Sequence, residues 1–262
     1  MLALSKKSIC VVTAGLTALA LTLAPAALAA PVVKATAKIV PIKGFPNTGN
    51  ILGAGAALEV RATASGTEST GGVVSQLRKV VVYLPKGVKI DSKPFPSCST
   101  ATLENVGPSG CPKGSVASPV GSAGVVDPIG GEDVRENATL QAFVAPGGGL
   151  NFYANAASPI SAQIVVPGFY GTASGRYGLK FTAEVPLVDS VPGAPPVSTE
   201  SINISVGAAI KKHGHTYYYG TVPNTCPKGG FTGMFEATFQ TGETVSNTVT
   251  VPCPKRSLKK KH

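Results

Sequence analysis

Apolar and polar residues alternate along many short segments of this chain. The alternation is clearest over 201–206, where Ile202, Ile204 and Val206 share one face and the residues between them are polar. Strict alternation of this kind predicts a β-strand with one buried face. The same pattern, or a run of β-branched residues bounded by turn residues, recurs at 57–63, 77–84, 138–144, 150–153, 160–166, 179–185, 216–222, 234–239 and 248–251. The sequence therefore predicts about ten strands.

Turn residues separate these segments. The chain contains 31 glycines and 22 prolines among 262 residues, which is typical of short strands joined by tight turns. No segment after residue 30 combines helical length and periodicity with freedom from glycine and proline, and 103–106 and 207–212 can each form one helical turn at most. We therefore expect an all-β fold with little helix, an antiparallel β-sandwich that is immunoglobulin-like or similar.

A short repeat bears on the domain organisation. The tetrapeptide Cys-Pro-Lys-Gly occurs at 111–114 and again at 226–229, each time after a segment rich in predicted strands. The repeat suggests two similar halves, at about 44–135 and 136–254, and one elongated domain is the alternative.

The first 29 residues have the three parts of a secretory signal peptide. Lys6 and Lys7 precede an apolar run over 9–23, and Ala27-Leu28-Ala29 offers small residues at a cleavage site. The run is short for a membrane span, and no later segment is apolar over the length that a span needs. We expect residues 1–29 to be removed and residues 30–254 to form the body of a secreted or envelope-associated protein.

Export changes how the cysteines are interpreted. Cys10 leaves with the leader, and Cys98, Cys111, Cys226 and Cys253 remain. An even number of cysteines in an exported chain predicts disulfides, and four cysteines allow three pairings. Proximity in sequence favours the pairs Cys98–Cys111 and Cys226–Cys253. The spacing does not match a metal site, so no metal or other cofactor is expected.

Positive charge is concentrated at the ends of the expected mature chain. The full chain has a net charge of +10, yet acidic and basic residues balance between 44 and 254. The last eight residues, 255–262, carry five basic side chains, which are Lys255, Arg256, Lys259, Lys260 and Lys261. This pattern predicts a disordered basic tail that either aids solubility or binds an anionic cell-wall polymer or lipid headgroups. No nucleic-acid recognition motif accompanies the tail.

Few residues suggest catalysis. His213 and His215 flank a glycine beside two lysines, which predicts an exposed hairpin tip rather than a metal site or a catalytic triad. Asp127, Glu132, Asp133 and Glu136 cluster in a glycine-rich segment, and a solvated loop is the simplest interpretation. The alternatives are a calcium site, which lacks the usual ligand spacing, and the carboxylate pair of a hydrolase.

One aromatic group offers a candidate binding surface. Tyr217, Tyr218 and Tyr219 are consecutive, so on a strand the first and third share a face and the second takes the other. Packing of one face in the core is the ordinary expectation, and a platform for a carbohydrate or another ligand is the alternative.

Short motifs of the chain lie at 49–59, 82–87, 143–149, 184–188, 191–195 and 226–231. These motifs resemble stretches of secreted actinobacterial proteins that have no assigned function. The resemblance implies an exported, disulfide-containing, β-rich protein of a high-GC Gram-positive cell, and it implies no chemistry. We therefore expect a non-enzymatic envelope or secreted protein with a structural or binding role, with a carbohydrate- or ligand-binding module and a carboxylate hydrolase as alternatives.

The basic tail provides a direct test of envelope attachment. In the native host, we expect the full chain to stay with the cells and to be released by moderate salt, because salt screens exposed charges. A chain that ends at Pro254 should appear in the medium instead. Fractionation into medium, salt wash and wall-plus-membrane measures both, and retention of the full chain in high salt would contradict electrostatic attachment.

Overall fold

A computed structural model describes residues 31–45, 51–66, 71–159, 161–189, 193 and 195–254. Strands dominate the described residues, and every pair of neighbouring strands is antiparallel. The prediction of an all-β, antiparallel fold with little helix is therefore confirmed. The predicted leader and the basic tail lie outside the described residues.

Fifteen strands and one short α-helix occur in the described part of the chain. The strands are β1 (Val32–Val40), β2 (Ala57–Ser65), β3 (Leu77–Pro85), β4 (Lys89–Ile90), β5 (Gly121–Ile129), β6 (Glu132–Val144), β7 (Leu150–Ala156), β8 (Ala162–Thr172), β9 (Tyr177–Glu184), β10 (Ser198–Val206), β11 (Ala209–Lys212), β12 (His215–Tyr218), β13 (Gly220–Thr221), β14 (Phe231–Phe239) and β15 (Thr244–Val251). The helix is α1 (Thr100–Asn105), and 3-10 turns span Pro108–Gly110 and Pro146–Gly148.

Eleven of these strands form one sheet. Its order is β1-β2-β10-β5-β6-β7-β8-β9-β3-β14-β15. The edge strands β1 and β15 lie against each other without a hydrogen-bonded ladder between them. The sheet therefore curls until its edges meet, which makes it nearly barrel-like and consistent with the two facing layers of a sandwich.

Both proposed halves of the sequence contribute to this sheet. Strand β3 pairs with β9 and β14, and β10 pairs with β2 and β5, so strands from before and after residue 135 are interleaved. Duplication of the two sequence halves stays a prediction.

The period-two pattern indicates the inner face correctly. In β10, Ile204 is buried, Ile202 and Val206 pack against the interior cluster, and Asn203 is exposed on the opposite face. The strands predicted at 138–144 and 150–153 form a hairpin across the glycine turn at 146–149, with Val144 opposite Leu150. Residues 209–212 form β11 instead of the helical turn that the sequence allowed.

The acidic, glycine-rich segment is not the solvated loop that the sequence suggested. It forms the β5–β6 hairpin, in which Val125 lies opposite Glu136 and the tip is Gly130-Gly131. Both of these glycines have positive φ, which non-glycine residues rarely adopt. Pairing with neighbouring strands buries Asp127 and Glu136, while Glu132 and Asp133 stay exposed.

Two disulfides link the cysteines as proximity in sequence suggested. Cys98 is bonded to Cys111 and Cys226 to Cys253. The first loop carries α1, which begins at the cap residue Ser99 and places Leu103 beside the outward-facing Phe143 and Val165. This loop therefore covers the outer face of β6 and β8. The second disulfide joins the loop before β14 to the residues after β15.

Close packing on the inner face requires glycine at one position of β8. A Cβ atom on Gly168 would lie 2.1 Å from Cζ of Phe181, an aromatic ring fixed between Phe152 and Tyr170. On the same strand, a Cβ atom on Gly171 would have the flexible Lys180 side chain as its nearest neighbour, at 3.6 Å. The two positions therefore differ in the space they offer to a methyl group.

We expect Gly168→Ala to lower the free energy of unfolding by about 1–3 kcal/mol, because the ring has to move in a packed interior. Gly171→Ala should change it by less than about 1 kcal/mol. Urea unfolding of both variants measures the difference, and equal stabilities would contradict the packing described.

Candidate binding cavity

The curled sheet encloses a cavity of about 370 Å³. Two buried clusters contribute to its walls. One contains Leu140, Phe181 and Tyr219, and the other contains Leu77 and Phe235. Inward-facing side chains from all eleven strands of the sheet complete the lining. The cavity therefore belongs to the interior of the sheet rather than to a surface loop.

Small side chains account for the space. Alanines occupy many of the inward positions, including Ala37, Ala138, Ala154 and Ala183 on four different strands. Side chains fill the interior of eight-stranded closed sheets, and the enclosed diameter grows with strand number. An eleven-stranded sheet with alanines on its inner face therefore keeps a volume within the usual range for small-molecule pockets.

Tyr219 lines the cavity and has a hydrogen-bonded hydroxyl. The Tyr219 side chain is 2% exposed, and its hydroxyl donates to the carbonyl oxygens of Gly148 and Gly149 at 3.0 and 3.1 Å. Its backbone is held as well, since its N–H donates to Ala208 and its carbonyl accepts from Asp91. These bonds fix the ring between β12 and the β6–β7 turn.

Further aromatic rings surround this tyrosine. The ring of Phe95 meets the Tyr219 ring edge-on at 5.8 Å between centroids, and the Tyr170 ring lies 6.3 Å away. Tyr170 also lies 5.0 Å from Phe181. Burial raises the pKa of Tyr170 to about 12 and shifts the pKa of Tyr219 in the same direction. Both hydroxyls therefore stay neutral over the physiological range.

The three consecutive tyrosines are divided among different surroundings. Tyr219 lines the cavity, and the half-buried Tyr217 packs against the same buried cluster. Tyr218 lies over Gly55, where a Cβ atom would be 1.9 Å from its ring. The structure therefore brings one of the three residues of the candidate binding surface to the cavity, and that residue is the buried one.

One carboxyl group faces this apolar interior. Glu136 lies on the inner face of β6, is 8% exposed, and has an Oε2 atom without a hydrogen-bond partner. Among the described residues that line the cavity, Glu136 is the only charged one. The sequence analysis placed Glu136 in an acidic cluster. It missed a local signal, because Glu136 lies two residues before Ala138 in an alternating run and therefore shares its inner face.

The other sequence-predicted groups lie elsewhere. His213 and His215 are exposed at the tip of the β11–β12 hairpin, as expected. The basic residues Lys255, Arg256, Lys259, Lys260 and Lys261 lie outside the described residues. Over the ranges that the structure describes, no three histidine, cysteine, aspartate or glutamate side chains gather in a way that could hold a metal ion.

Comparison with known proteins gives no match to a family model, to a curated protein or to a solved structure. Within the described ranges, no helix has both the length and the apolar character needed to cross a membrane. The two disulfides indicate an oxidising compartment.

The buried tyrosines predict a loss of stability at alkaline pH. A pKa of Tyr170 raised from 10.0 to about 12 means that the folded protein retains a proton that the unfolded chain loses. This contribution to stability is complete below pH 10 and is lost as pH rises through about 12. The free energy of unfolding should therefore fall over this range.

In Tyr170→Phe, we expect the fall between pH 9 and pH 12 to be smaller by about 2 kcal/mol, because that proton no longer contributes. Urea unfolding at a series of pH values measures it, with the wild-type chain as the control. Parallel pH profiles for the two proteins would contradict the burial of this hydroxyl.

Proposed function

We propose that this protein is an exported, non-enzymatic binding protein that holds a small apolar molecule inside its sheet. The observation that carries the proposal is the cavity of about 370 Å³ with walls of aliphatic and aromatic side chains. Pockets of this kind bind ligands by removing apolar surface from water, with a few polar groups to fix orientation.

The composition of the walls favours an apolar ligand over a carbohydrate. A sugar carries many hydroxyl groups, and each one that is buried without a hydrogen bond is costly. Most of the lining is apolar, and its polar side chains are those of Thr36, Gln76, Tyr83, Glu136, Tyr170, Thr199, Tyr219 and Thr221. Three of them are engaged, since Gln76 donates to the Pro196 carbonyl, Tyr83 to Glu236 and Tyr219 to the glycine carbonyls.

The arrangement of carboxylates supports binding rather than hydrolysis. A glycoside hydrolase needs two carboxyl groups that flank the reacting bond. Glu136 is the only carboxylate among the described residues that line the cavity, and the other buried carboxyl group of the hairpin, Asp127, does not line it. The exposed Glu132 and Asp133 lie at the tip of the hairpin.

Export and attachment to the envelope complete the proposal. The signal-like leader and the two disulfides support a location outside the cytoplasm. Association of the basic tail with an anionic wall polymer or lipid surface would keep such a binding protein at the envelope. The body would then present its ligand where that surface meets the medium.

Cavity filling tests the proposal. Ala154 lines the cavity on β7, and its neighbour Asn155 points to the opposite face of the sheet. We expect the mature chain to bind the fluorescent hydrocarbon diphenylhexatriene saturably, at one molecule per chain. Ala154→Leu should weaken this binding about tenfold or more, because its extra carbons occupy the ligand volume, each worth about 0.8 kcal/mol of buried methylene.

The matched control adds the same side chain to the other face. Asn155→Leu should bind the probe as the wild-type chain does. Ala154→Leu should also melt no lower than the wild-type chain, because filling a cavity supplies van der Waals contacts. Absence of saturable binding to the wild-type chain, or equal binding by both leucine variants, would refute the proposed cavity function.

A further inference from the structure

A single carboxyl group in an apolar cavity bears on the class of ligand. Glu136 lies in a row across three strands, with Val125 opposite it on β5 and Thr199 beyond on β10. The neighbouring inward positions on its own strand are Val134 and Ala138. The cross-strand neighbours of the carboxyl group are therefore mainly aliphatic, with the buried Asp127 diagonally across on β5, and its Oε2 atom is buried without a hydrogen-bond partner.

No basic side chain of the described lining balances this group. The nearest guanidinium along the chain, Arg135, points to the outer face, where it forms a bidentate ion pair with Glu200 at 3.2 Å. The other acidic residues of the hairpin add negative charge. Asp127 is fully buried on β5, and Asp133 is exposed beside Arg135 on the outer face. The protein surrounding Glu136 therefore favours a positive partner over a negative one.

A buried carboxylate without a partner is costly, and a hydrogen-bonded cation offsets much of that cost. A ligand that supplies the cation also gains a charge-assisted hydrogen bond, which is about twice as strong as a neutral one. The rest of the ligand has to be apolar, because the remainder of the lining is mostly aliphatic and aromatic.

From this geometry we propose that the cavity selects amphiphiles that carry an amino group. The ammonium binds the Glu136 carboxylate, and the hydrocarbon chain extends along the apolar walls toward Tyr219. The cavity volume of about 370 Å³ corresponds to about twelve groups the size of a water molecule. A methylene group is of similar size, so a twelve-carbon chain is a suitable length for a probe. This inference rests on the proposed binding function.

Competition among three probes of equal chain length tests the selectivity. Dodecylamine, dodecanol and dodecanoate differ only in the polar end and are added, below their aggregation concentrations, to the mature chain carrying diphenylhexatriene. At neutral pH the amine is protonated and the dodecanoate is ionised. We expect dodecylamine to displace the hydrocarbon at a concentration about 10–100-fold lower than dodecanol, the range given by hydrogen bonds to charged groups. Dodecanoate should be the weakest competitor.

Two matched variants locate the effect. Glu136→Gln keeps the size of the side chain and removes its charge, so the amine and the alcohol should become equal within about threefold, with the alcohol unchanged. Glu132→Gln removes the same charge from the exposed end of the same strand and should retain the full amine preference. Circular dichroism of both variants establishes that the sheet is intact.

The possible failures can be told apart. If diphenylhexatriene does not bind, the proposed binding function fails. If it binds and the amine competes no better than the alcohol, or if dodecanoate competes best, the cavity function stands and the amine selectivity is wrong. If Glu136→Gln retains the amine preference, the cation binds elsewhere and this inference is overturned. The comparison of the three probes on the wild-type chain stands even if a variant does not fold.

Discussion

One eleven-stranded sheet has to bury its inner face against itself, and the rest of the structure depends on this constraint. The alternating apolar residues of each strand cannot remain in water, and beyond this sheet the described chain offers only two sheets of two strands each and no long helix to cover them. The sheet curls until β1 meets β15, so the inward side chains of each strand pack against those of strands across the interior. The same curling leaves a cavity, since a sheet of this width encloses more volume than its many inward alanines fill.

Residues outside the eleven-stranded sheet also pack against its interior. Tyr219 lies outside the eleven-stranded sheet, between two short strands, yet its hydroxyl reaches the glycine turn between β6 and β7. Phe95, from the loop after β4, packs on its ring. Two residues outside the large sheet thus add aromatic rings to the interior cluster, beside Phe152, Tyr170 and Phe181 of the sheet itself.

The sequence predicts local features of this fold better than its assembly. Alternation at 201–206 identifies β10, but the position of β10 between β2 and β5 depends on pairings between distant segments. Strand β5 was not predicted, because its glycines and Pro128 are more common in turns, and pairing on both sides overrides that preference. Glu136 was assigned to a solvated cluster for the same reason. The alternation that continues into β6 indicates its inner face, whereas its burial depends on the closure of the sheet.

The unfilled interior affects the stability of the fold and so bears on the proposed binding function. Apolar side chains that border unfilled space lack the contacts of a packed core, so the cavity is a cost to the stability of the fold. The disulfides offset part of it from outside the cavity, since each closed loop contributes about 3 kcal/mol, and Cys98–Cys111 lies on the outer face. A disulfide on the outer face adds stability without placing any side chain in the cavity. In the proposed function, an apolar molecule in the cavity would supply the missing contacts and, by binding only the folded chain, would add its binding free energy to the stability of the sheet.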